Sequence, residues 1–207
     1  MAKQIDLFDG SPSLPPGFRY EAELITAAEE RALVSHVRAL PFKEFEFHGY
    51  TGKRRVISFG WRYDFSARSV EPASEMPAFL DDVRRRAAEF AGLPPDSLAH
   101  ALVTEYDAGA AIGWHRDKGV FSDVIGISLL APCTFRLRLA RPGGGWERVN
   151  LIAEPRSAYL MRGPSRTEWE HSIPAVEALR YSITFRTLKS PGAPRASRTH
   201  SPETDAS

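Results

Sequence analysis

The chain has 207 residues, 43% of them hydrophobic, and its 27 basic side chains nearly balance 26 acidic ones. This length and apolar content favour one globular domain and exclude full disorder, and the near-zero net charge excludes a globally basic nucleic-acid binder. A single cysteine, Cys133, excludes a disulfide framework and a cysteine-based zinc cluster. Because we find no secretory signal and no membrane-spanning run, we expect a soluble, monomeric, cytoplasmic protein with no membrane partner.

The first half of the chain is predicted to contain two helices. Residues 26–40 carry apolar side chains on one helical face, and Thr26 can cap this helix together with Glu29 three residues on. A second helix is predicted over residues 77–91, where apolar residues again recur with helical spacing. A proline suits the first turn of this helix, and Gly92 suits its end.

Residues 47–66 lie between the two predicted helices. They combine aromatic residues and glycines with a basic cluster of Lys53, Arg54 and Arg55. Aromatic and β-branched residues favour strands, whereas glycine favours turns. We therefore expect short strands joined by a mobile turn in this segment.

From residue 101 onward, short apolar or alternating runs are separated by glycine, proline, aspartate and serine. One separator, "RPGGGW" at 141–146, is typical of a hairpin tip. Short strands at regular spacing predict a sandwich or barrel, and helices followed by strands predict an α+β domain with the helices on one sheet. Residues 190–207 contain almost no apolar side chains and are predicted to be a disordered tail.

One spacing in the strand-rich half has the chemistry of a metal site. In "GWHRDK", His115 and Asp117 point to the same face if the segment is extended, because strand side chains alternate with period two. His171 is the only later histidine outside the predicted tail. Two histidines and one carboxylate on a β-barrel form the facial triad of non-haem Fe(II) oxygenases, which leaves positions open for a co-substrate and dioxygen. The alternative is a solvated strand end that carries the His115 and Asp117 pair by chance.

The last predicted strand, "RYSITFR" at 180–186, carries two arginines on one face. An unpaired interior arginine costs several kcal/mol, but a ligand with two carboxylates would satisfy both guanidinium groups. 2-Oxoglutarate is such a dicarboxylate, and its keto-acid end can chelate iron. The alternative is the solvent-facing side of an antiparallel sheet. The face in question carries Arg180, Ser182, Thr184 and Arg186, while Tyr181, Ile183 and Phe185 on the other face are predicted to be core.

These motifs together resemble the AlkB family of Fe(II)- and 2-oxoglutarate-dependent dioxygenases. The resemblance is carried by "YDAGAAIGWHRDK" at 106–118, by His171 and by "RYSITFR", and it covers about residues 98–188. It implies a double-stranded β-helix (jelly-roll) core with two N-terminal helices packed on one sheet. We expect residues 1–189 to form this one domain.

The resemblance also implies which residues bind the metal and the two ends of the co-substrate. His115, Asp117 and His171 would bind Fe(II). Arg180 would pair with the distal carboxylate of 2-oxoglutarate. Arg186 would lie near the carboxylate beside the keto group, close to Asp117 and the metal.

Further polar residues are implied to hydrogen-bond the co-substrate. These are Thr104, Tyr106 and Ser182. Better-studied bacterial members of the family usually carry asparagine where Thr104 and Ser182 stand. Both departures keep a hydrogen-bonding group but shorten it.

The activity implied by the resemblance is oxidative removal of an alkyl group from a nucleobase nitrogen in DNA or RNA. The reaction consumes O2 and 2-oxoglutarate and releases an aldehyde, succinate and CO2. Residues 47–66 occupy the place of a substrate lid in this family. A basic, aromatic lid suits a phosphate backbone and a flipped base. The substrate-facing residues are predicted to be Lys53, Arg54, Arg55, Trp61 and Trp169.

Two alternatives stay open. The same chemistry could act on a protein side chain instead of a nucleic acid, because net charge gives no preference. A non-catalytic jelly-roll module that keeps a metal is the other possibility, and loss of the arginine pair would favour it. Bacterial repair members also tend to carry a carboxylate two residues after the metal aspartate, where this sequence has Gly119.

Overall fold

A computed structural model describes residues 14–47, 50–64 and 69–189, so the predicted tail at 190–207 lies outside the described residues. The described strands are β1 (Phe18–Glu21), β2 (Lys43–Phe47), β3 (Tyr50–Phe59), β4 (Trp61–Asp64), β5 (Ser69–Pro72), β6 (His100–Tyr106), β7 (Ile112–His115), β8 (Phe121–Leu129), β9 (Cys133–Ala140), β10 (Trp146–Ala153), β11 (Ala158–Met161), β12 (Glu170–Ile173) and β13 (Arg180–Leu188). The helices are α1 (Ala27–Arg38), α2 (Asp81–Ala91) and α3 (Pro164–Thr167), with short 3-10 turns at Ala78–Leu80 and Pro95–Ser97. No helix in these ranges is long and apolar enough to cross a membrane.

Two antiparallel sheets form the body of the described structure. The large sheet has seven strands in the order β1-β11-β8-β13-β6-β3-β2, and the small sheet has four in the order β10-β9-β12-β7. Strands β4 and β5 form a separate two-stranded ribbon. Hairpin β9–β10 turns at the predicted tip, where three glycines with positive φ (Gly143, Gly144 and Gly145) make a turn that other residues rarely adopt. The predicted jelly-roll core is confirmed by this sheet topology and by the structural relatives described below.

Apolar side chains form two core clusters. One cluster joins residues of α1 and α2, such as Val37 and Ala87, with residues of the large sheet such as Ile183. The other cluster joins the two sheets and includes Phe135 of the small sheet and Val124 of the large sheet. Successive side chains of β13 therefore lie on opposite faces of the large sheet, because strand side chains alternate with period two.

Helix α1 begins with the predicted capping box. The Thr26 hydroxyl accepts a hydrogen bond from the Glu29 amide at 3.2 Å, and the Glu29 carboxylate accepts one from the Thr26 amide at 2.7 Å. Two amides that the helix itself cannot satisfy are thereby paired. The second predicted helix also ends where expected, at Gly92.

A Thr26→Ala substitution is expected to lower the free energy of unfolding by about 1 kcal/mol, because it removes the hydroxyl that accepts the hydrogen bond of the Glu29 amide. Urea denaturation followed by circular dichroism would measure the change. Ser35→Ala is a matched control, since Ser35 lies inside the same helix and donates only to the Ala32 carbonyl at 2.7 Å. Equal losses in the two variants would contradict a specific capping role for Thr26.

Residues 50–59 differ from the sequence expectation. They form one ten-residue strand, β3, and not short strands joined by a mobile turn. Arg54 to Phe59 pair residue by residue with β6, which places the basic cluster inside the large sheet. The β-branched and aromatic residues Val56, Ile57 and Phe59 favour strand pairing, and this outweighs the turn tendency of the neighbouring glycine. Positions 48–49 and 65–68 of the predicted lid lie outside the described residues.

Candidate metal and co-substrate site

The small sheet brings the two histidines together. His115 at the end of β7 pairs directly with His171 on β12, and their ring centroids are 4.2 Å apart. His115 Nδ1 lies 2.9 Å from the Gly113 carbonyl oxygen. Because a carbonyl only accepts, this contact places a proton on Nδ1, so Nε2 is the nitrogen that could bind a metal.

Asp117 follows β7 and turns its carboxylate towards both histidine and arginine. Its Oδ1 accepts a hydrogen bond from Arg186 Nη2 at 2.9 Å. Its Oδ2 is buried without a hydrogen-bond partner and lies 4.0 Å from His171 Nε2. Burial raises the pKa of Asp117, but the charge of Arg186 outweighs this effect and holds the pKa well below its usual range. The group is therefore a carboxylate with one oxygen unused.

His171 is buried between the sheets and stays neutral. Burial lowers the pKa of His171 to about 3, with a further lowering by His115. Two imidazoles and a carboxylate with a free oxygen are the donor types that Fe(II) takes in a facial triad. Within the described ranges, no three His, Cys, Asp or Glu side chains lie close enough together to coordinate one metal ion without rearrangement. The donor types fit Fe(II), so His115, Asp117 and His171 are the residues that would hold it.

Arg186 links this donor set to the large sheet. Its Nη2 holds Asp117, its Nη1 lies 3.3 Å from His100 Nδ1, and its Nε is buried without a partner. Burial, followed by the charge of Arg186, lowers the pKa of His100 to about 3, so the neutral ring can accept from the guanidinium. His100 is not among the site residues predicted from the sequence. Its contact with Arg186 joins residues 86 positions apart, so no local pattern could have revealed it.

Arg180 lies six residues before Arg186 on the same strand face and is only 2% exposed. Its Nη2 donates to Ser128 Oγ at 3.0 Å, and its guanidinium carbon lies 4.5 Å from the centre of the Tyr106 ring. Its Nε and Nη1 are buried without partners. A buried cation with two unused donors fits a carboxylate ligand, which would compensate its charge and its hydrogen bonds together.

Three small hydroxyl residues lie beside Arg180 in one row across the large sheet. Ser182 pairs with Thr104 on one side and with Ser128 on the other, and all three are buried. Thr104 and Ser182 were predicted from the sequence, whereas Ser128 was not. The register therefore places both predicted hydroxyls on the same sheet face as the two arginines.

Another residue that sequence reasoning missed fixes the backbone after Asp117. Arg166 in α3 is buried and donates from Nη2 to the Lys118 carbonyl at 2.6 Å and to the Phe121 carbonyl at 3.0 Å. These bonds hold the segment that connects the metal-donor loop to β8. In the sequence, Arg166 is a single arginine outside any motif, so its role could not be predicted without the fold.

The predicted lid residues are less free than their sequence suggested. Arg55 is exposed but pairs with Glu105 at 2.7 Å, and Arg54 is partly buried opposite Tyr106. The side chain of Lys53 lies outside the described residues, and Trp61 is partly buried at the start of β4. Trp169 is 3% exposed within the cluster that joins the two sheets. Contact of these residues with a substrate stays a prediction.

Comparison with known proteins places this geometry in a family. The family model of the 2OG-Fe(II) oxygenase superfamily matches residues 21–186. An Arabidopsis thaliana relative, named alkylated DNA repair protein ALKBH8 homolog, is 27% identical over 193 residues, covering 82% of this chain and 54% of its own length. The mouse DNA oxidative demethylase ALKBH2 is 32% identical over 142 residues, covering 62% and 58%. The chain thus spans about half the length of these two curated relatives.

Solved structures share the fold. The structure of OsALKBH1 aligns with a TM-score of 0.61 at 19% identity, covering 84% of this chain and 98% of that one. A prolyl-4-hydroxylase from Pseudomonas putida aligns with a TM-score of 0.57 at 13% identity, covering 84% and 94%. The superfamily's Fe(II), 2-oxoglutarate and O2 match the cofactors expected from the sequence. The chain belongs to the 2OG-Fe(II) oxygenase superfamily and, within it, to the AlkB family of dioxygenases.

Proposed function

We propose that residues 1–189 form one catalytic domain that oxidatively dealkylates N-alkylated nucleobases in DNA or RNA, releasing an aldehyde, succinate and CO2. The observation that carries this proposal is the link between the two halves of the site. Arg186 touches the carboxylate of the His115, Asp117 and His171 set, and Arg180 on the same strand face offers two unused donors. A non-catalytic metal module would have no use for a second buried cation with unused donors.

Each residue has a distinct task in the proposed reaction. His115, Asp117 and His171 would hold Fe(II), and Arg180 would bind the distal carboxylate of 2-oxoglutarate. When bound, iron and 2-oxoglutarate supply the oxidising power that hydroxylates a carbon attached to nitrogen, after which the aldehyde leaves. Arg186 keeps Asp117 ionised and oriented. The two N-terminal helices pack against the outer face of the large sheet, which keeps the strand that carries both arginines rigid.

The choice of nucleic acid as substrate has two supports. Relatives of this chain are named a DNA oxidative demethylase and, in Arabidopsis thaliana, the RNA demethylase ALKBH9B. In addition, Arg116 and Lys118 are exposed and alternate with the metal-donor candidates along the chain. Cations at the mouth of a site suit the phosphates that flank a flipped base.

The proposal is tested by loading the protein anaerobically with Fe(II) and 2-oxoglutarate and recording the weak visible charge-transfer band of the chelate. Oxygen is then admitted with N-methylated oligonucleotides or with methylated peptides, and formaldehyde and succinate are assayed. A band with formaldehyde from an oligonucleotide supports the proposal. Formaldehyde from peptides alone would move the substrate to protein, and no band in the iron-loaded protein would overturn the co-substrate site.

An Arg116→Glu variant is expected to bind single-stranded oligonucleotides more weakly and to reduce the slope of log affinity against log salt by about one. Arg116 is exposed beside His115, and its Nη1 reaches the Thr167 carbonyl only at 3.5 Å, so little structure depends on it. Fluorescence anisotropy over a salt series would measure both quantities. Arg148→Glu on exposed β10 is the matched control. Identical effects of the two reversals would argue against a phosphate contact at the mouth.

A further inference from the structure

Strand β10 is the one long and regular edge strand among the strands described. It lies at the edge of the small sheet opposite β7, and its eight residues pair with β9 without a bulge. The other edge strands are shorter or irregular. Strands β1, β4, β5 and β7 have four residues each, and a register shift interrupts the pairing of β2 and of β7. Short length and bulges protect sheet edges from pairing with another chain, and β10 has neither protection.

The outer face of β10 carries exposed apolar side chains. Trp146 is 39% exposed and Ile152 is 49% exposed, and within the described ranges they are the only exposed large hydrophobic residues. Because strand side chains alternate with period two, both lie on the same face of the sheet. This outer face carries, in order, Trp146, Arg148, Asn150 and Ile152. Two exposed apolar side chains on one unpaired edge indicate a surface that a partner covers.

Trp146 is held in place by its own chain. The guanidinium carbon of Arg138 lies 3.9 Å from the centre of the Trp146 ring and 4.4 Å from that of the Trp114 ring. Arg138 also forms an ion pair with Glu170 at 2.6 Å. Because the Trp146 ring is already ordered, little side-chain entropy would be lost when a partner packs against it. An ordered tryptophan at an interface is a typical binding hot spot.

The residue order of β10 is complementary to itself. When two antiparallel copies of one strand are related by a two-fold axis, residues directly opposite each other are equally far from the central residue. With Val149 at the centre, Trp146 lies opposite the partner's Ile152, and Arg148 lies opposite the partner's Asn150. The two exposed apolar residues thus cover each other twice, and no like charges are opposed.

The neighbouring registers lack this match. Centring the pair on Arg148 would place this arginine opposite the partner's Arg148, and like charges directly opposite each other are destabilising. Centring it on Asn150 would place Ile152 opposite the partner's Arg148. It would also leave Trp146 opposite a residue beyond the end of the partner's strand. The positions of the exposed apolar residues therefore favour the register centred on Val149.

We propose that β10 is a dimer interface, at which a second copy of this chain adds its own β10 antiparallel in the register centred on Val149. The two small sheets then continue as one sheet. This assembly differs from the monomer expected from the sequence. Strand β7, which carries His115, is separated from β10 by β9 and β12. Dimerisation at β10 is therefore independent of the catalytic chemistry proposed above.

The first test is sedimentation velocity over a concentration series that extends above the micromolar range, with hydrogen exchange recorded at its two ends. The wild type is expected to shift from the mass of one chain to that of two, and exchange should slow along β10 as it does so. A protein that remains a monomer throughout the series would overturn the inference. A dimer without slower exchange along β10 would refute the proposed location.

Two substitutions at one exposed position have opposite expected effects. Asn150→Glu places a carboxylate opposite the partner's Arg148, whereas Asn150→Lys places an ammonium group there. Because each contact occurs twice in a two-fold dimer, the dissociation constant should fall about two- to thirtyfold in Asn150→Glu and rise by a similar factor in Asn150→Lys. Within the chain Asn150 also lies opposite Arg136, so thermal denaturation checks that both variants are folded. Changes of the same sign in both variants would contradict the Val149 register.

Ile152→Glu tests the apolar contact itself. It should remain a monomer throughout the concentration series, because the dimer would bury a carboxylate against the partner's Trp146. Ile152 is exposed in the single chain, so the substitution leaves the core intact. Lys43→Glu is the matched control, since it introduces the same side chain at an exposed position of the edge strand β2 and should dimerise like the wild type. A dimer that is unaffected by Ile152→Glu would overturn the interface.

Discussion

Fe(II) binding and turnover are expected to be lost in a His115→Ala variant that keeps its fold. His115 is only partly buried, and its one side-chain hydrogen bond is to the nearby Gly113 carbonyl, so its removal leaves little structure unsupported. Loss of a metal ligand should weaken binding by more than about a hundredfold, since even residues that merely support ligands contribute ten- to a hundredfold. Anaerobic equilibrium dialysis with Fe(II) would measure the loss, and circular dichroism the fold.

A second histidine provides the control for this experiment. His36 is exposed on α1 and stacks on Phe79, far along the chain from the donor set. His36→Ala should bind Fe(II) and turn over like the wild type. Asp117→Ala should also abolish both properties, but it additionally leaves Arg186 without its carboxylate partner and is therefore expected to destabilise the fold. Full activity in His115→Ala would rule out the donor set.

Replacing Arg180 with methionine is expected to abolish 2-oxoglutarate binding and, at the same time, to stabilise the ligand-free protein. The ligand-free fold carries a buried guanidinium with two unpartnered nitrogens. Methionine has a similar shape without the charge, and replacing buried ionic groups by apolar ones commonly stabilises a protein by about 1–4 kcal/mol. Thermal denaturation with and without 2-oxoglutarate would reveal both effects, because only a bound ligand raises the melting temperature.

This prediction is specific because the melting temperature of the ligand-free variant should rise while its stabilisation by 2-oxoglutarate should be lost. A purely structural arginine would, on removal, lower the melting temperature of the ligand-free protein. Arg148→Met is the matched control, because Arg148 is exposed on β10 and its loss should change neither the stability nor the response to 2-oxoglutarate. A less stable Arg180→Met variant that still responds to 2-oxoglutarate would contradict the assignment of Arg180.

Features set by local chemistry were predictable from the sequence. The α1 cap follows from Thr26 and Glu29, and a strand over residues 180–186 follows from the alternation of apolar and polar residues, although β13 continues to Leu188. The AlkB family, the jelly-roll core and the cofactors are likewise confirmed. These predictions succeeded because each depends on residues that are close in sequence, or on a motif order that few folds share.

Features set by distant partners were not predictable. His100 and Arg166 make their contacts with segments far away in the chain, so nothing in their own segments marks them. Strand β3 was expected to contain a mobile turn, because its basic cluster and glycine resemble loop chemistry. Pairing with β6 decides its structure instead, as tertiary context often overrides local propensity.

The donor set also has a mechanical consequence for the small sheet. Strand β7 is one of the two edge strands of this sheet, and within the sheet it pairs only with β12, through a register broken by a bulge. Outermost strands expose unpaired amides and carbonyls and open more readily than central ones. A metal bound by His115, Asp117 and His171 would link β7 to β12 in addition to their backbone hydrogen bonds. We therefore expect metal binding to hold β7 more firmly against β12 and to slow hydrogen exchange along β7.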